Sequence, residues 1–324
     1  MNQKSKISDH KKKVLTSNDL ILLCLAGMGA LFLLIFAYFP MFGLILAFKD
    51  GDYALNLLDV MLYGDWTLFG NFSAIFNDPS FLDTFVNTLL LNLLMLVINF
   101  PAPIIFALLI NEVRHRKYKT AVQTLTNFPH FISWAIFGGL IIAMTDMTTG
   151  VINPILESIG LSDPETPVNL QTAPYFYATI ILASLIKNIG WGSIIYVAAI
   201  SGIDSSYYEA AELDGASRFQ AMLYITLPSI APTITVFLLL NISGLLNNSF
   251  DQFYIFQNDL NISRSEVLTT YIYKEGMVRG KYGSASALGL LNSVISVILL
   301  YVSDFISKKT TRRRGGESTD GKMS

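Results

Sequence analysis

Six apolar runs divide the chain, at about residues 20–48, 87–110, 128–144, 176–200, 230–250 and 285–305. Each is near or above the roughly 17–25 residues that a helix needs to cross a bilayer. The connections at about 49–86, 145–175 and 251–284 are longer and carry Gly-Asp, Asn-Asp-Pro-Ser and Asp-Pro-Glu-Thr-Pro clusters, which read as turns. The pattern predicts an all-α polytopic membrane protein with six transmembrane helices. Its parts are a tail at 1–19, a first span at 20–48, a core of five spans within 82–305, and a second tail at 306–324. Residues 310–324 are charged and rich in Gly and Ser, and read as disordered. The first run follows a lysine-rich stretch, but 29 residues are too many for a signal-peptide core and no small-residue cleavage site follows. It reads as an uncleaved anchor. No internal repeat is visible.

Composition supports the same class. The chain is 52% hydrophobic and 14% charged, against roughly 25% charged residues in soluble domains. The charges are sorted by side. Sixteen of the 22 lysines and arginines fall in the N-terminal tail, the second and fourth connections and the C-terminal tail. Lys49, Arg264, Lys274, Arg279 and Lys281 lie in the other connections, and Lys187 within the fourth run. The excess of basic residues marks the cytoplasmic side, so both termini are expected there, together with residues 204–228. The net charge of −2 says little about partners, because the charges are partitioned by side, and no nucleic-acid partner is expected.

One polar stretch between the fourth and fifth runs stands out: EAAELDGASRFQAMLYITLP, Glu209 to Pro228. Ser206 with Glu209, and Ser217 with Gln220, have the form of capping boxes. Asp214-Gly215 is a turn signal between two short helices. Pro228 is expected to end or kink the second of them. The result is a compact cytoplasmic knob, and capping alone does not separate a docking element from an ordinary connection.

Several chemistries are excluded. No GxxxxGK[ST], GxGxxG or GxSxG pattern occurs, so ATP would have to be bound by another polypeptide. The single cysteine, Cys24, rules out a disulfide within one chain or a Cys-based metal site. His10, His115 and His130 show no ligand spacing. No span carries a carboxylate at its middle, which disfavours a proton- or sodium-coupled carrier. Lys187 is the one cation inside a run. It either lines a path or pairs internally, or reaches water from near an interface. The residues after it, Asn188, Gly190, Trp191 and Gly192, suggest an irregular, closely packed turn.

The fifth run carries the main substrate candidates. Asn241, Gly244, Asn248, Asp251 and Gln252 recur at i, i+3, i+7, i+10 and i+11, one face of a helix, flanked by Ser243, Asn247 and Phe250. Amides avoid hydrocarbon. They bond either neighbouring helices or a solvated path, where amides and aromatic rings suit sugar hydroxyls and pyranose faces. The path is the favoured reading. Asn92 and Asn99 fit either class, and Ser286, Gly289, Ser293 and Ser296 read as close packing between helices.

The spacing from Glu209-Ala210-Ala211 through Gly215 to Leu227-Pro228 resembles the EAA loop of membrane subunits of bacterial ATP-binding-cassette importers. Residues 39–50, 117–141 and 205–233 are similar to a carbohydrate branch of that family, associated with oligosaccharides released from polysaccharides. The resemblance covers about residues 82–305 and implies a type I importer permease fold, with Glu209, Ala210, Ala211, Asp214, Gly215, Arg218, Leu227 and Pro228 coupling to ATPases. It implies a second, homologous permease subunit, two ATPase subunits and an extracytoplasmic binding protein, in a bacterial cytoplasmic membrane. ATP and Mg would be held by the ATPases and no cofactor by this chain, which is not itself an enzyme. The chain resembles the maltose-permease-like partner but lacks that subunit's large external domain. The expected substrate path is Lys187, Asn241, Asn247, Asn248, Phe250 and Gln252. A permease for another solute class, a secondary sugar carrier and a membrane scaffold are the alternatives.

Overall fold

The computed structural model describes residues 17–53, 56–163, 165–247 and 249–320, and its regular structure is helical, with only three isolated strand bridges. Helices follow from the setting, because each backbone N–H and C=O in hydrocarbon needs a partner within its own segment. The first span, Asn18–Phe48, begins as α1 (Ser17–Leu33), then passes through a π turn at Leu34–Tyr38 and a 3-10 segment at Phe39–Phe48. Residues 18–38 are exposed along their whole length, so this anchor does not pack on the core of its own chain. Only its end is fastened. Asn71 Nδ2 donates to the carbonyls of Leu46, Ala47 and Lys49 at 3.3, 3.0 and 2.9 Å. Asn71 lies in α3 (Gly70–Phe76), which follows α2 (Leu57–Tyr63).

The second span joins α4 (Pro79–Asn99) to α5 (Pro101–Asn111). It starts earlier than the apolar run, because Asp78 caps it by accepting from Ser80 N at 2.9 Å. The third span departs from the continuous helix expected at 128–144. Helix α6 (Arg116–Asn127) and a 3-10 turn at Phe128–Phe131 meet α7 (Trp134–Met144) at 101°. Ser133, in an extended conformation, restarts the helix by accepting from Ile136 N at 3.4 Å.

After α8 (Ile152–Ser158), the fourth span is α9 (Ala173–Ser201), one unbroken helix of 29 residues. The irregular turn expected at 188–192 is absent, and the glycines serve contact instead. A Cβ on Gly190 would sit 2.4 Å from the carbonyl carbon and oxygen of Thr126. One on Gly192 would sit 3.0 Å from Pro103 Cγ. Both α6 and α5 therefore press their surfaces onto α9 where it has no side chain.

The knob contains α10 (Ser205–Leu213) and α11 (Arg218–Ala221), followed by a π turn at Met222–Thr226 and α12 (Leu227–Ser243). From Arg218 to Ser243 these form one 26-residue span. The helix stops at Ser243 and a turn precedes α13 (Phe250–Phe256). The single polar helix face expected from 241 to 252 is thus not formed, and its members go to different places. Short helices α14 (Ile262–Ser265) and α15 (Leu268–Tyr273) lead to α16 (Tyr282–Asp320). That last helix runs on through residues 310–320 of the tail expected to be disordered, and residues 321–324 lie outside the described residues.

Three apolar clusters hold these helices together. Leu91, Phe137, Ile180 and Phe253 join α4, α7, α9 and α13. Ala47, Ile75, Leu268 and Leu288 join the first span's end to α3, α15 and α16. Ile104, Leu108, Tyr196, Ile200 and Ile230 join α5, α9 and α12, directly above the knob.

Candidate functional site

The knob is built by its caps. Asp204, rather than the expected Ser206–Glu209 pair, starts α10 by accepting from Ser206 N at 2.9 Å. Because Asp204 already occupies the N-cap, Ser206 lies within the first turn. Gly215 has φ +75°, and with it Ala216 N reaches the carbonyl of Ala211 at 2.9 Å, closing the helix end. Ser217 and Gln220 form a reciprocal box at 2.7 and 3.3 Å. The helix does not end at Pro228. A π turn precedes it, and Pro228 falls in the first turn of α12, where a missing N–H is tolerated.

Large apolar side chains stand exposed on this knob among charged and polar ones. Leu213 is 90% exposed, and Tyr207, Phe219 and Tyr224 are exposed beside it. Glu209, Ala210, Asp214, Gly215, Arg218 and Pro228 are also exposed, while Ala211 and Leu227 are half-buried. A groove of about 320 Å³ runs past Ala211, Gly215, Gln220 and Tyr224. Tyr208 Oη lies 2.8 Å from Thr226 Oγ1 and ties α10 to the π turn.

A cavity of about 440 Å³ opens among α4, α5, α9 and α12. Its polar lining includes Asn92, Asn99, Asn188 and Asn241, with Trp191 and Tyr196 as aromatic walls. Both amide atoms of Asn99 are buried without a partner. Buried polar atoms without partners are uncommon. Of the five described residues among those expected on the path, Asn241 is the one that lines this cavity. Asn247 instead donates to Ser296 Oγ at 3.3 Å and accepts from Asn292 Nδ2 at 3.0 Å, which is packing against α16. Gln252 is buried in α13 and Phe250 stacks on Tyr254 with centroids 4.9 Å apart. Asn248 lies outside the described residues.

Lys187 pairs internally, one of the readings open from the sequence, and its partners are backbone carbonyls of another span. It is the central residue of α9, 4% exposed. Its Nζ donates to the carbonyls of Pro129 at 2.8 Å and His130 at 3.2 Å, and to that of Ile132. All three acceptors lie at the break in the third span, where the Pro129 carbonyl also accepts from Ile132 N at 3.2 Å. The ammonium satisfies them and meets the partial negative charge at a helix C-terminus. The rings of Trp134 and Phe137 lie 5.3 and 5.4 Å from Nζ.

Two residues were not singled out by sequence reasoning. His130 had no metal partner and Trp191 had been assigned to a turn. The signal for Trp191 was the spacing Ser184, Asn188, Trp191, Ile195, which is one face of α9 and lines the cavity. No such signal points to His130, which comes from another span.

The profile of the family described as binding-protein-dependent transport system inner membrane component matches residues 67–312. Protein LplB of Bacillus subtilis (strain 168) is 41% identical over 281 residues, 87% of this chain and 86% of the relative. The polygalacturonan/rhamnogalacturonan transport system permease protein YteP of the same organism is 36% identical over 87% of this chain and 85% of its own. Among solved structures, a bacterial ABC transporter involved in import of the acidic polysaccharide alginate superposes with a TM-score of 0.81. The two are 35% identical, over 90% of this chain and 96% of that one.

Proposed function

The chain belongs to the binding-protein-dependent transport system inner membrane component family, and from that premise we propose that it is a membrane-spanning subunit of an ATP-driven importer for oligosaccharides released from polysaccharides. The chain is a transport subunit of the type I importer permease fold and not an enzyme. ATP is hydrolysed by two separate subunits that dock on the exposed knob. A second permease subunit completes the path, and an extracytoplasmic binding protein delivers the sugar. Both termini and the knob face the cytoplasm in this reading, which the distribution of basic residues supports.

The observation that carries the reading is one apolar cluster shared by two sites. Tyr196 lines the cavity and packs with Ile104, Ile200 and Ile230, while α9 leads into the knob and α12 leaves it. Displacement of the knob by ATPases therefore moves two walls of the cavity together. Sugar and ATP each shift the equilibrium between outward- and inward-facing states only by their differential affinity for them. The cavity's size lies in the range of small-molecule sites, and its amides and indole match a pyranose. Asn241 is the path residue on which the reading rests. Relatives that transport polygalacturonan, rhamnogalacturonan and alginate favour an acidic sugar.

The test is reconstitution of the whole complex in lipid vesicles with its binding protein. Uptake of a galacturonan trisaccharide, an alginate trisaccharide and maltotriose is measured with and without ATP. ATP-dependent uptake of an acidic trisaccharide is expected, and Asn241→Leu should reduce sugar imported per ATP hydrolysed at least threefold. Uptake that persists without the ATPase subunits, or follows an ion gradient, would sink the importer reading.

A further inference from the structure

The break in the third span places a ring behind a wall of the cavity. His130 and Trp191 stack with centroids 4.5 Å apart and planes 3° from parallel. Phe131 meets both rings edge-on, at 5.8 and 5.6 Å. His130 Nδ1 lies 3.1 Å from Asn188 Oδ1. Asn188 Nδ2 is committed to the Ser184 carbonyl at 3.1 Å, which leaves Oδ1 as acceptor and makes His130 Nδ1 the donor. The backbone of His130 is held as well, because its carbonyl accepts from Lys187 Nζ. Lys187, Asn188 and Trp191 lie within one turn of α9, so that single turn grips His130 by backbone, side chain and ring face.

From this arrangement, and resting on the cavity as the sugar's path, we propose that His130 is a positioning residue that fixes the indole of Trp191 as the platform on which a pyranose ring stacks. A free indole in a cavity rotates about two side-chain torsions, and each orientation presents a different surface. Covering one face with a flat ring held by a hydrogen bond selects one orientation and leaves the other face available. Trp191 remains 47% exposed and lines the cavity beside Asn188 and Asn241. The apolar face of a sugar then meets the ring while its hydroxyls meet the amides. Aromatic rings take such flat apolar partners in offset or parallel stacks.

The experiment compares His130→Phe, which keeps a flat ring without the hydrogen bond, with His130→Leu, which fills the space without a flat ring. Both are made in the complete reconstituted complex with its binding protein. The readout is the number of trisaccharide molecules imported per ATP hydrolysed, using the acidic trisaccharide that gives the highest wild-type uptake. Because this is a ratio, differences in assembled complex cancel. The expected result is a ratio within twofold of wild type for His130→Phe and at least threefold lower for His130→Leu. A merely structural role for His130 would change the yield of complex in both variants and leave both ratios at the wild-type value. That outcome, with Asn241→Leu still lowering the ratio, overturns the proposal and spares the cavity. If Asn241→Leu and Trp191→Ala also leave the ratio unchanged, the cavity is not the path, and the reading of His130 falls with it.

Discussion

Replacing Lys187 by Met keeps a long, flexible side chain in the middle of α9 and removes the ammonium that serves three carbonyls of the broken third span. Interhelical hydrogen bonds measured inside bilayers average about 0.6 kcal/mol, so three of them set a lower figure of about 2 kcal/mol. Bonds to a charged donor contribute about 1.5–3 kcal/mol each in protein interiors, but removing the charge also relieves its desolvation. The contacts with the Trp134 and Phe137 rings add about 0.5–2 kcal/mol. The expected net loss is therefore about 2–5 kcal/mol, or roughly 30-fold to several thousandfold in the folding equilibrium at 1.4 kcal/mol per tenfold. Unfolding of the purified chain by titration with SDS, followed by circular dichroism, reads this directly. Lys187→Arg keeps the charge and donors and should recover at least half of the loss. A Lys187→Met variant within about 0.5 kcal/mol of wild type, inside the usual range for surface substitutions, would refute the claim that the ammonium sustains the break.

Two further outcomes follow from the knob and from the charge pattern. Gly215 has φ +75° and no heavy atom within 4 Å of a built Cβ, so Gly215→Val acts through backbone conformation alone, at about 1–2 kcal/mol. Uptake and co-purification of the ATPase subunits should both be lost while the chain still inserts. Gly215→Asn, which tolerates this conformation, should retain them, and normal uptake by the Val variant would remove the coupling role. Single cysteines at Ser217 and Asp163, on a Cys24→Ala background, should differ in intact cells: an impermeant thiol reagent should label only the Asp163 position. Labelling at Ser217 alone would invert the proposed orientation.

Much of the architecture was written locally. An apolar run of sufficient length becomes a helix in hydrocarbon because its backbone has no other partners, so the spans could be read without knowledge of their neighbours. The turn at Gly215 and the box of Ser217 with Gln220 were legible for the same reason: each motif is satisfied within a few residues. Failures began where a local signal had a competitor. Asp204 displaced Ser206 as the cap, and a π turn carried the helix through Pro228.

The sites were a different matter, because a polar side chain in a membrane is defined by what lies opposite it. Asn241 and Asn247 look equivalent along the chain, yet one lines the cavity and the other bonds Asn292 and Ser296. The stop at Ser243 rotates them apart, and only the packing of α16 decides the second one's partners. Lys187 was visible as an anomaly, but its acceptors are more than fifty residues away, at a break in another span. His130 carries no signal of its own at all. Its meaning comes from the 4.5 Å between its ring and that of Trp191. By itself the sequence determined most of the long apolar helices and the turn that closes the knob, since hydropathy and capping act over a few residues. Only the tertiary structure decided which polar groups face a cavity, because desolvation makes each depend on a partner from a distant helix.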